Sequence, residues 1–206
     1  MALFLNELGR FDEVLADYDR LTAPKLADDA TLDRVDAASL LWRLELEGID
    51  VGGRWGPVAD AWMAHVDDHV LAFNDLHCAF AAARSADPDH AIRLTRSLDA
   101  YERQASGDNR LVTAEVGRRL IEGALAFARG DFTRAVEEIL PVRAQAFRIG
   151  GSHAQRDIVN LTLIAAAERS GQWGLASALL AERVESRPTP RAKARRARAS
   201  RAAAAK

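Results

Sequence analysis

The sequence predicts an all-α fold, an α-α superhelix (a right-handed solenoid) of about five tetratricopeptide-like helix pairs. Three observations predict it. Apolar residues recur at three- and four-residue spacing, as from Leu40 to Leu46 and from Leu120 to Phe127. Runs of alternating β-branched residues are missing, and four segments along the chain share one turn pattern.

The shared pattern is a helix end, a glycine turn, an aromatic residue and, three positions later, a small or branched residue. It occurs in LGRFDEV, VGGRWGPV, ARGDFTRA and RSGQWGLA, whose turn glycines are Gly9, Gly53, Gly130 and Gly171. Glycine permits the sharp reversal between antiparallel helices. We expect the aromatic to fill the crevice where the two helices cross, and the small residue to permit their close approach. A fifth turn is predicted at SADPDHA, with Asp87 as the cap and Pro88 at the first helical position.

These turns divide the chain into helices and a tail. The predicted pairs are residues 1–9 with 11–22, 31–47 with 55–67, 69–85 with 88–105, 109–129 with 131–148, and 152–170 with 173–186. Pro141 should kink or break the eighth helix, because proline lacks the N–H that an α-helix needs. The domain organisation is therefore a helical repeat domain over 1–186 and a basic Arg/Ala-rich tail over 187–206.

The first predicted helix begins in the middle of the pattern and without a cap. Its apolar residues Leu3, Phe4 and Leu8 would normally be covered by a preceding repeat. We therefore expect either that the chain is the C-terminal part of a longer array, or that this end is buried against a partner. A homo-oligomer through the exposed N-terminal helix is one such arrangement.

The charge distribution is uneven. Residues 187–206 hold eight of the 28 Lys and Arg side chains and none of the 30 acidic ones, so residues 1–186 have a net charge of −10. Nucleic-acid-binding domains present a basic face, so the acidic body disfavours nucleic acid as a partner except through the tail. The composition of the tail favours a disordered, solvated segment, and docking on the acidic body is the alternative.

The sequence sets only broad limits on the cellular compartment and on the chemistry of the protein. No stretch of about 18 apolar residues is present, so we expect no membrane span. Cys78 is the single cysteine, which excludes an intramolecular disulfide and favours a cytoplasmic location. No catalytic motif, no metal site and no cofactor motif is recognised, because HExxH, the P-loop and GxGxxG are all absent.

Four segments go beyond a generic helical repeat: HVDDHVLAFNDLH (His65 to His77), GGSHAQRD (Gly150 to Asp157), LWRLELEG (Leu40 to Gly48) and LLAERVESRP (Leu179 to Pro188). Through them most of residues 31–188 resembles the family named after tetratricopeptide repeat protein 38. The resemblance implies an α-α repeat protein of roughly twice this length, of which the chain would be the C-terminal part. The family supplies no assigned biochemical activity.

The two most specific of these segments also contain four of the five histidines. By helical periodicity, Asn74 and His77 lie on one stripe of a helix starting near Asp68. His153, Asp157 and Asn160 lie on one stripe of a helix starting at Ser152. Both helices are the first of their pairs and would line the concave groove, so the stripes could face one cavity. The candidate ligand-binding residues are Asp68, His69, Asn74, Asp75, His77, His153, Arg156, Asp157 and Asn160.

Structural explanations compete with this one. Ser152 and Gln155 fit a capping box, and acidic residues at 67 and 68 suit a helix N-terminus. The remaining polar residues could form a hydrogen-bonded network between repeats. A divalent metal held by imidazoles and a carboxylate is also possible, although one His/Asp pair at i, i+4 is a weak indication.

Two functions follow from these alternatives. The first is a non-enzymatic interaction scaffold that binds a peptide or partner protein in its concave groove. The second is a small-molecule- or metal-binding protein, or an enzyme component, that uses the His/Asn/Asp cluster.

Overall fold

The chain forms an all-α structure in a computed structural model that describes residues 2–205, and no strand is present in that range. The twelve α-helices within the described residues are Ala2–Glu7 (α1), Phe11–Asp17 (α2), Thr31–Leu46 (α3), Trp55–Met63 (α4), Ala72–Arg84 (α5), Asp89–Gln104 (α6), Asp108–Val112 (α7), Arg118–Ala128 (α8), Phe132–Ile139 (α9), His153–Arg169 (α10), Trp173–Ser186 (α11) and Pro190–Ala204 (α12). No described helix is both long and apolar enough to cross a membrane.

Short π and 3₁₀ turns join or extend several of these helices. The π turn Tyr18–Thr22 continues α2, and the 3₁₀ turn Ala23–Asp28 follows it. The π turn Thr113–Gly117 joins α7 to α8, so the two form one long helical rod as the sequence predicts. After α9 the chain continues through Pro141 into the 3₁₀ segment Arg143–Ile149, so the predicted eighth helix is broken at the proline.

The predicted turn glycine is confirmed in three of the four copies of the pattern, whereas Gly53 lies inside the 3₁₀ turn Gly52–Arg54 and the left-handed glycines there are Gly48 and Gly52. Gly9, Gly130 and Gly171 adopt φ values of 73°, 82° and 73°, the left-handed conformation that glycine adopts without steric cost. The small or branched residue of each copy of the pattern is 0% exposed, and these residues are Val14, Val58, Ala135 and Ala176. Each lies where the second helix of a pair approaches the first, so the repeat pattern specifies helix-pair packing.

The inner layer of the structure is a ring of four helices. α3 contacts α5, α5 contacts α8, α8 contacts α10, and α10 returns to contact α3. Trp42 of α3 donates a hydrogen bond from Nε1 to Thr162 Oγ1 of α10 at 3.0 Å, and its ring stacks on Phe80 of α5 at 4.4 Å. Phe127 of α8 completes the contact, with its ring centroid 5.5 Å from that of Trp42.

The centre of this ring is filled by side chains. Trp42 and Thr162 are 0% and 2% exposed, and the void beside Thr162, between α5, α8, α9 and α10, has a volume of about 10 Å³. The concave groove expected along the first helices is therefore closed by the helices themselves. No ligand larger than a water molecule fits there.

The C-terminal segment differs from the predicted disordered tail. Pro190–Ala204 is a helix that packs along α11, with Ala192 and Ala199 buried. Its first turn is capped by Thr189, whose Oγ1 accepts from the Ala192 N–H at 3.1 Å. Basic side chains on its inner face pair with Glu47 and Glu168 of the acidic body, which is the docking alternative.

Candidate functional site

The first cluster of predicted site residues lies in the loop between α4 and α5. His69 has φ of 42°, so it stands in the left-handed region and outside the helix predicted to start near Asp68. The residue is 6% exposed, with Nδ1 of its imidazole 3.1 Å from Asp75 Oδ1 and Nε2 2.8 Å from Ser97 Oγ of α6. A loop residue is thereby tied to two helices through one side chain.

Tyr101 and Asn109 complete this network from α6 and α7. The Tyr101 ring stacks on the His69 imidazole with centroids 4.7 Å apart. The Asn109 amide nitrogen donates to the His69 carbonyl at 2.8 Å and to the Tyr101 hydroxyl at 2.9 Å, and its oxygen accepts from the Ala72 N–H at 3.1 Å. Asn109 therefore fixes the backbone on both sides of Val70 and Leu71.

Asp75 is the acidic member of the network. It is 5% exposed, and burial raises the pKa of its carboxyl group, while the hydrogen bond to His69 opposes that shift. Asp68 lies outside the buried network, with its carboxylate exposed and 2.8 Å from His65 Nδ1. The two predicted acids thus have different surroundings.

The order Ser97–His69–Asp75 matches the order of groups in serine hydrolases, but its setting differs. A nucleophilic serine must direct its proton to the imidazole. The Ser97 oxygen is also 3.2 Å from the Val66 carbonyl and in hydrogen-bond contact with the Asp67 carboxylate, so its single proton has three competing acceptors. The arrangement supports a structural network that joins the loop to α5 and α6.

Replacing Ser97 by alanine should lower the free energy of unfolding by about 1–2 kcal/mol, because it removes the partner of a buried imidazole nitrogen. Urea unfolding followed by circular dichroism measures the change. Thr95→Ala on the same helix is the matched control, because the Thr95 hydroxyl bonds only to the Ala91 carbonyl one turn earlier and should cost under about 0.5 kcal/mol. Equal effects of the two substitutions would contradict the network.

His77 lies deep in the core, away from the loop network. It is 0% exposed, its Nδ1–H donates to the Phe73 carbonyl at 2.8 Å, and its ring contacts Phe73 and Phe80. Burial lowers the pKa of this imidazole to about 4. Asn74 is half-buried on the same helix. Cys78 is buried as predicted, and burial raises the pKa of its thiol.

The second cluster surrounds Asp157 on α10. Arg183 of α11 donates from one nitrogen to both Asp157 oxygens at 2.9 and 3.0 Å, and Arg187 lies 3.3 Å away. Arg43 of α3 approaches Asp157 to 3.9 Å and donates to the Ala154 carbonyl at 2.9 Å. Because Arg43 is 4% exposed, burial lowers the pKa of its guanidinium to about 10.

The remaining predicted residues lie around this second cluster. Asn160 lines a cavity of about 110 Å³ together with Asp157 and Arg183. His153 is exposed, and Arg156 donates to the Gly150 carbonyl at 3.1 Å and to the carbonyl of Gly151. Ser152 and Gln155 form the predicted capping box at the start of α10.

The two polar segments do meet, but through apolar contacts. A side chain at Gly151, whose φ is 74°, would bring its Cβ within 2.7 Å of the Phe73 ring. A Cβ at Gly150 would lie 3.5 Å from Leu71 Cδ1. The structure therefore divides the predicted site into two hydrogen-bonded clusters, with glycines at the place where their segments touch.

Four exposed apolar side chains lie where these two segments adjoin α7 and the 3₁₀ segment Arg143–Ile149. Val70 and Leu71 are 65% and 43% exposed, Leu111 of α7 is 44% exposed, and Phe147 is 66% exposed. The segments that present these side chains adjoin one another. Asn109 of α7 bonds to the Ala72 N–H, and α7 contacts the 3₁₀ segment that contains Phe147. Leu71 lies against Gly150. We call Val70, Leu71, Leu111 and Phe147 the junction surface.

The sequence pattern singled out His69 and Asp75 as candidates, but it did not indicate Ser97 and Tyr101, and it did not single out Asn109. Their partners lie 28 to 40 residues away along the chain, as for His69 with Ser97 and with Asn109. Only Asn109 had a local indication, because it stands at the start of a predicted helix. Among residues 2–205, no group of three or more His, Cys, Asp or Glu side chains is arranged to hold a metal ion.

Comparison with family models and with solved structures assigns neither a family nor a function. No protein-family model matches the chain, and no solved structure matches it.

Proposed function

We propose that the chain is a tetratricopeptide-like scaffold that binds a partner protein. In this proposal its helix pairs form a right-handed α-α superhelix related to the family of tetratricopeptide repeat protein 38. The shared glycine–aromatic turns and the contacts of the inner helices in chain order support the repeat interpretation. The superhelix would be wound so tightly that α3 and α10 meet.

The partner would dock on the outside, at the junction surface. The filled centre of the ring leaves no room for a peptide, whereas the junction surface exposes four large apolar side chains on three adjoining segments. Contiguous exposed apolar residues are characteristic of interaction sites. The exposure of Val70 and Phe147, at 65% and 66%, is the observation that carries this proposal.

The polar network would support this surface. Asn109 fixes the residues on both sides of Val70 and Leu71, and the Tyr101 ring stacks on the His69 imidazole. A surface that is rigid before binding loses less conformational entropy on binding. The predicted site residues His69 and Asp75 would then act by positioning apolar neighbours.

The proposed partner segment is apolar and flanked by basic residues. Residues 1–186 have a net charge of −10, which a basic segment of a partner would complement. Complementary charge steers association and disfavours acidic partners. The single, buried Cys78 supports a cytoplasmic setting for this binding.

Affinity capture with a pair of variants tests the proposal. The double variant Leu71→Ser/Phe147→Ser should lose a protein that the unmodified chain retains, because two apolar anchors are removed. The matched control is Leu32→Ser, which removes a side chain that is 67% exposed on α3. Quantitative mass spectrometry of the captured proteins measures the difference.

The expected result is at least about a tenfold loss of one partner in the double variant, equivalent to about 1.4 kcal/mol, with retention in the control. Identical captured sets for all three proteins would contradict the junction surface. Phe4→Ser, examined by light scattering, reports whether α1, where Phe4 is 63% exposed, joins two copies of the chain.

A further inference from the structure

A concave site lies at the C-terminal end of α10, where α12 meets the ends of α3 and α10. It is a cleft of about 570 Å³, within the usual volume range of small-molecule sites. We call it the arginine cleft. Its charged lining consists of Arg169, Arg191, Arg195 and Arg198 with Glu47 and Glu168.

The carboxylates of the cleft are already used by its inner arginine. Arg195 donates to Glu168 at 2.7 Å and lies 3.3 Å from Glu47, and all three side chains are between 10% and 14% exposed. Arg191 pairs with the second Glu47 oxygen. Arg198 reaches Glu168 at 3.2 Å, but its guanidinium is 60% exposed at the mouth of the cleft.

Arg169 adds a positive charge that no carboxylate of the cleft neutralises directly. Its guanidinium donates to the backbone carbonyls of Glu45 and Leu46 at 2.9 and 3.2 Å and lies over the Phe127 ring. Burial, together with the guanidiniums of Arg84 and Arg195, lowers the pKa of Arg169. Four guanidiniums thus face two carboxylates, which leaves an excess of two positive charges in a concave, partly dry site.

An aromatic wall accompanies this charge. Trp173, at the start of α11, lines the cleft and is partly exposed, whereas Trp42, Trp55 and Trp62 are 0%, 4% and 3% exposed. A partly exposed indole offers a flat apolar face to a ring, and guanidiniums donate in pairs to phosphate oxygens.

We propose that the arginine cleft binds a small ligand that carries at least two negative charges, of the phosphate-ester or pyrophosphate class, with a planar ring that packs on Trp173. Two of these charges balance the excess of the lining. Arg198 and Arg191 supply the hydrogen-bond donors to the ligand. Like Arg195 they pair with carboxylates of the cleft, but both are more exposed than Arg195. The junction surface is a separate site and does not take part.

Calorimetric titration of the full chain with inorganic pyrophosphate, ADP and adenosine tests this assignment. We expect pyrophosphate to bind, ADP to bind more tightly because its ring adds a contact, and adenosine to bind at least tenfold more weakly than ADP. ADP should also change tryptophan fluorescence, and Trp173→Phe should remove that change while leaving a calorimetric signal.

The matched pair is Arg198→Gln and Arg196→Gln. Both remove one positive charge from α12, but Arg196 is exposed and does not line the cleft. Arg198→Gln should weaken pyrophosphate binding about tenfold, and Arg196→Gln less than twofold. Equal weakening by both would indicate non-specific binding to the basic helix and overturn the proposal, as would a lack of binding of pyrophosphate and ADP at millimolar concentration.

Discussion

Replacing Trp42 by alanine should lower the free energy of unfolding by about 3–5 kcal/mol, the range for deleting a large buried aromatic side chain. Trp42 is 0% exposed and contacts three other helices, through Phe80, Phe127 and Thr162. Its removal would leave a cavity where the inner ring closes. Urea unfolding followed by circular dichroism measures the loss, which should also lower the melting temperature by about 10 °C.

The hydrogen bond across the ring can be isolated from the packing. Thr162→Val leaves the buried Trp42 N–H without a partner and should cost about 1–3 kcal/mol. Trp42→Phe removes the donor, so that Thr162→Val should cost less in a Trp42→Phe background. Additive effects of these two substitutions would mean that α3 and α10 are not joined at this point.

Trp173→Ala is the control for the loss of an indole. This residue is only partly buried at the start of α11, so we expect a smaller effect of about 1–2 kcal/mol. If Trp42→Ala costs no more than Trp173→Ala, the inner helices do not meet as described.

The sequence predicted the parts of the fold that depend on neighbouring residues. Phe132 and Ala135 follow Gly130 within five residues, so the residues of a single turn predict that α9 packs back on α8. Closure of the ring is different, because Trp42 and Thr162 are 120 residues apart and neither belongs to the turn pattern. An apolar periodicity shows which face of a helix is buried, but not which distant helix covers it.

The C-terminal tail likewise depends on distant residues that its own sequence does not reveal. Its composition, rich in Arg and Ala and without acids, favours a disordered segment when considered alone. The carboxylates that hold α12, Glu47 and Glu168, lie elsewhere in the chain and become neighbours only in the fold. For His69, the preference of Asp67 and Asp68 for a helix start was outweighed by the loop contacts to Ser97 and Asn109, and α5 begins at Ala72.

The second large effect concerns pH. The unfolded chain protonates His77 near pH 6.5, whereas the buried ring has a pKa of about 4. Between these values the unfolded state binds more protons, so stability is full above about pH 6.5 and is lost as the pH falls toward 4. The loss should reach about 3 kcal/mol, at about 1.4 kcal/mol per pH unit in the middle of the range.

Replacing His77 by leucine should abolish this component, because an apolar side chain of similar volume has no proton to bind. Denaturant unfolding from pH 4.5 to 7.5 measures the free energy for both proteins. The pKa of Asp75 is raised in the folded state, so its contribution to stability falls as the pH rises through that pKa, opposite to the contribution of His77. Asp75 is present in both proteins. The difference between their two stability curves therefore reports His77 alone. His77→Gln provides a second non-titrating variant if the leucine variant folds poorly.

His153→Leu is the control, because it removes one histidine from an exposed position at the start of α10. A pH dependence that survives in this variant and disappears in His77→Leu assigns the effect to the buried ring. The Arg43 charge acts in the same direction as burial, since it disfavours a second cation nearby. If His77→Leu retains the full pH dependence of the unmodified protein, the imidazole is accessible to solvent, and the core between Phe73 and Phe80 is more open than the structure describes.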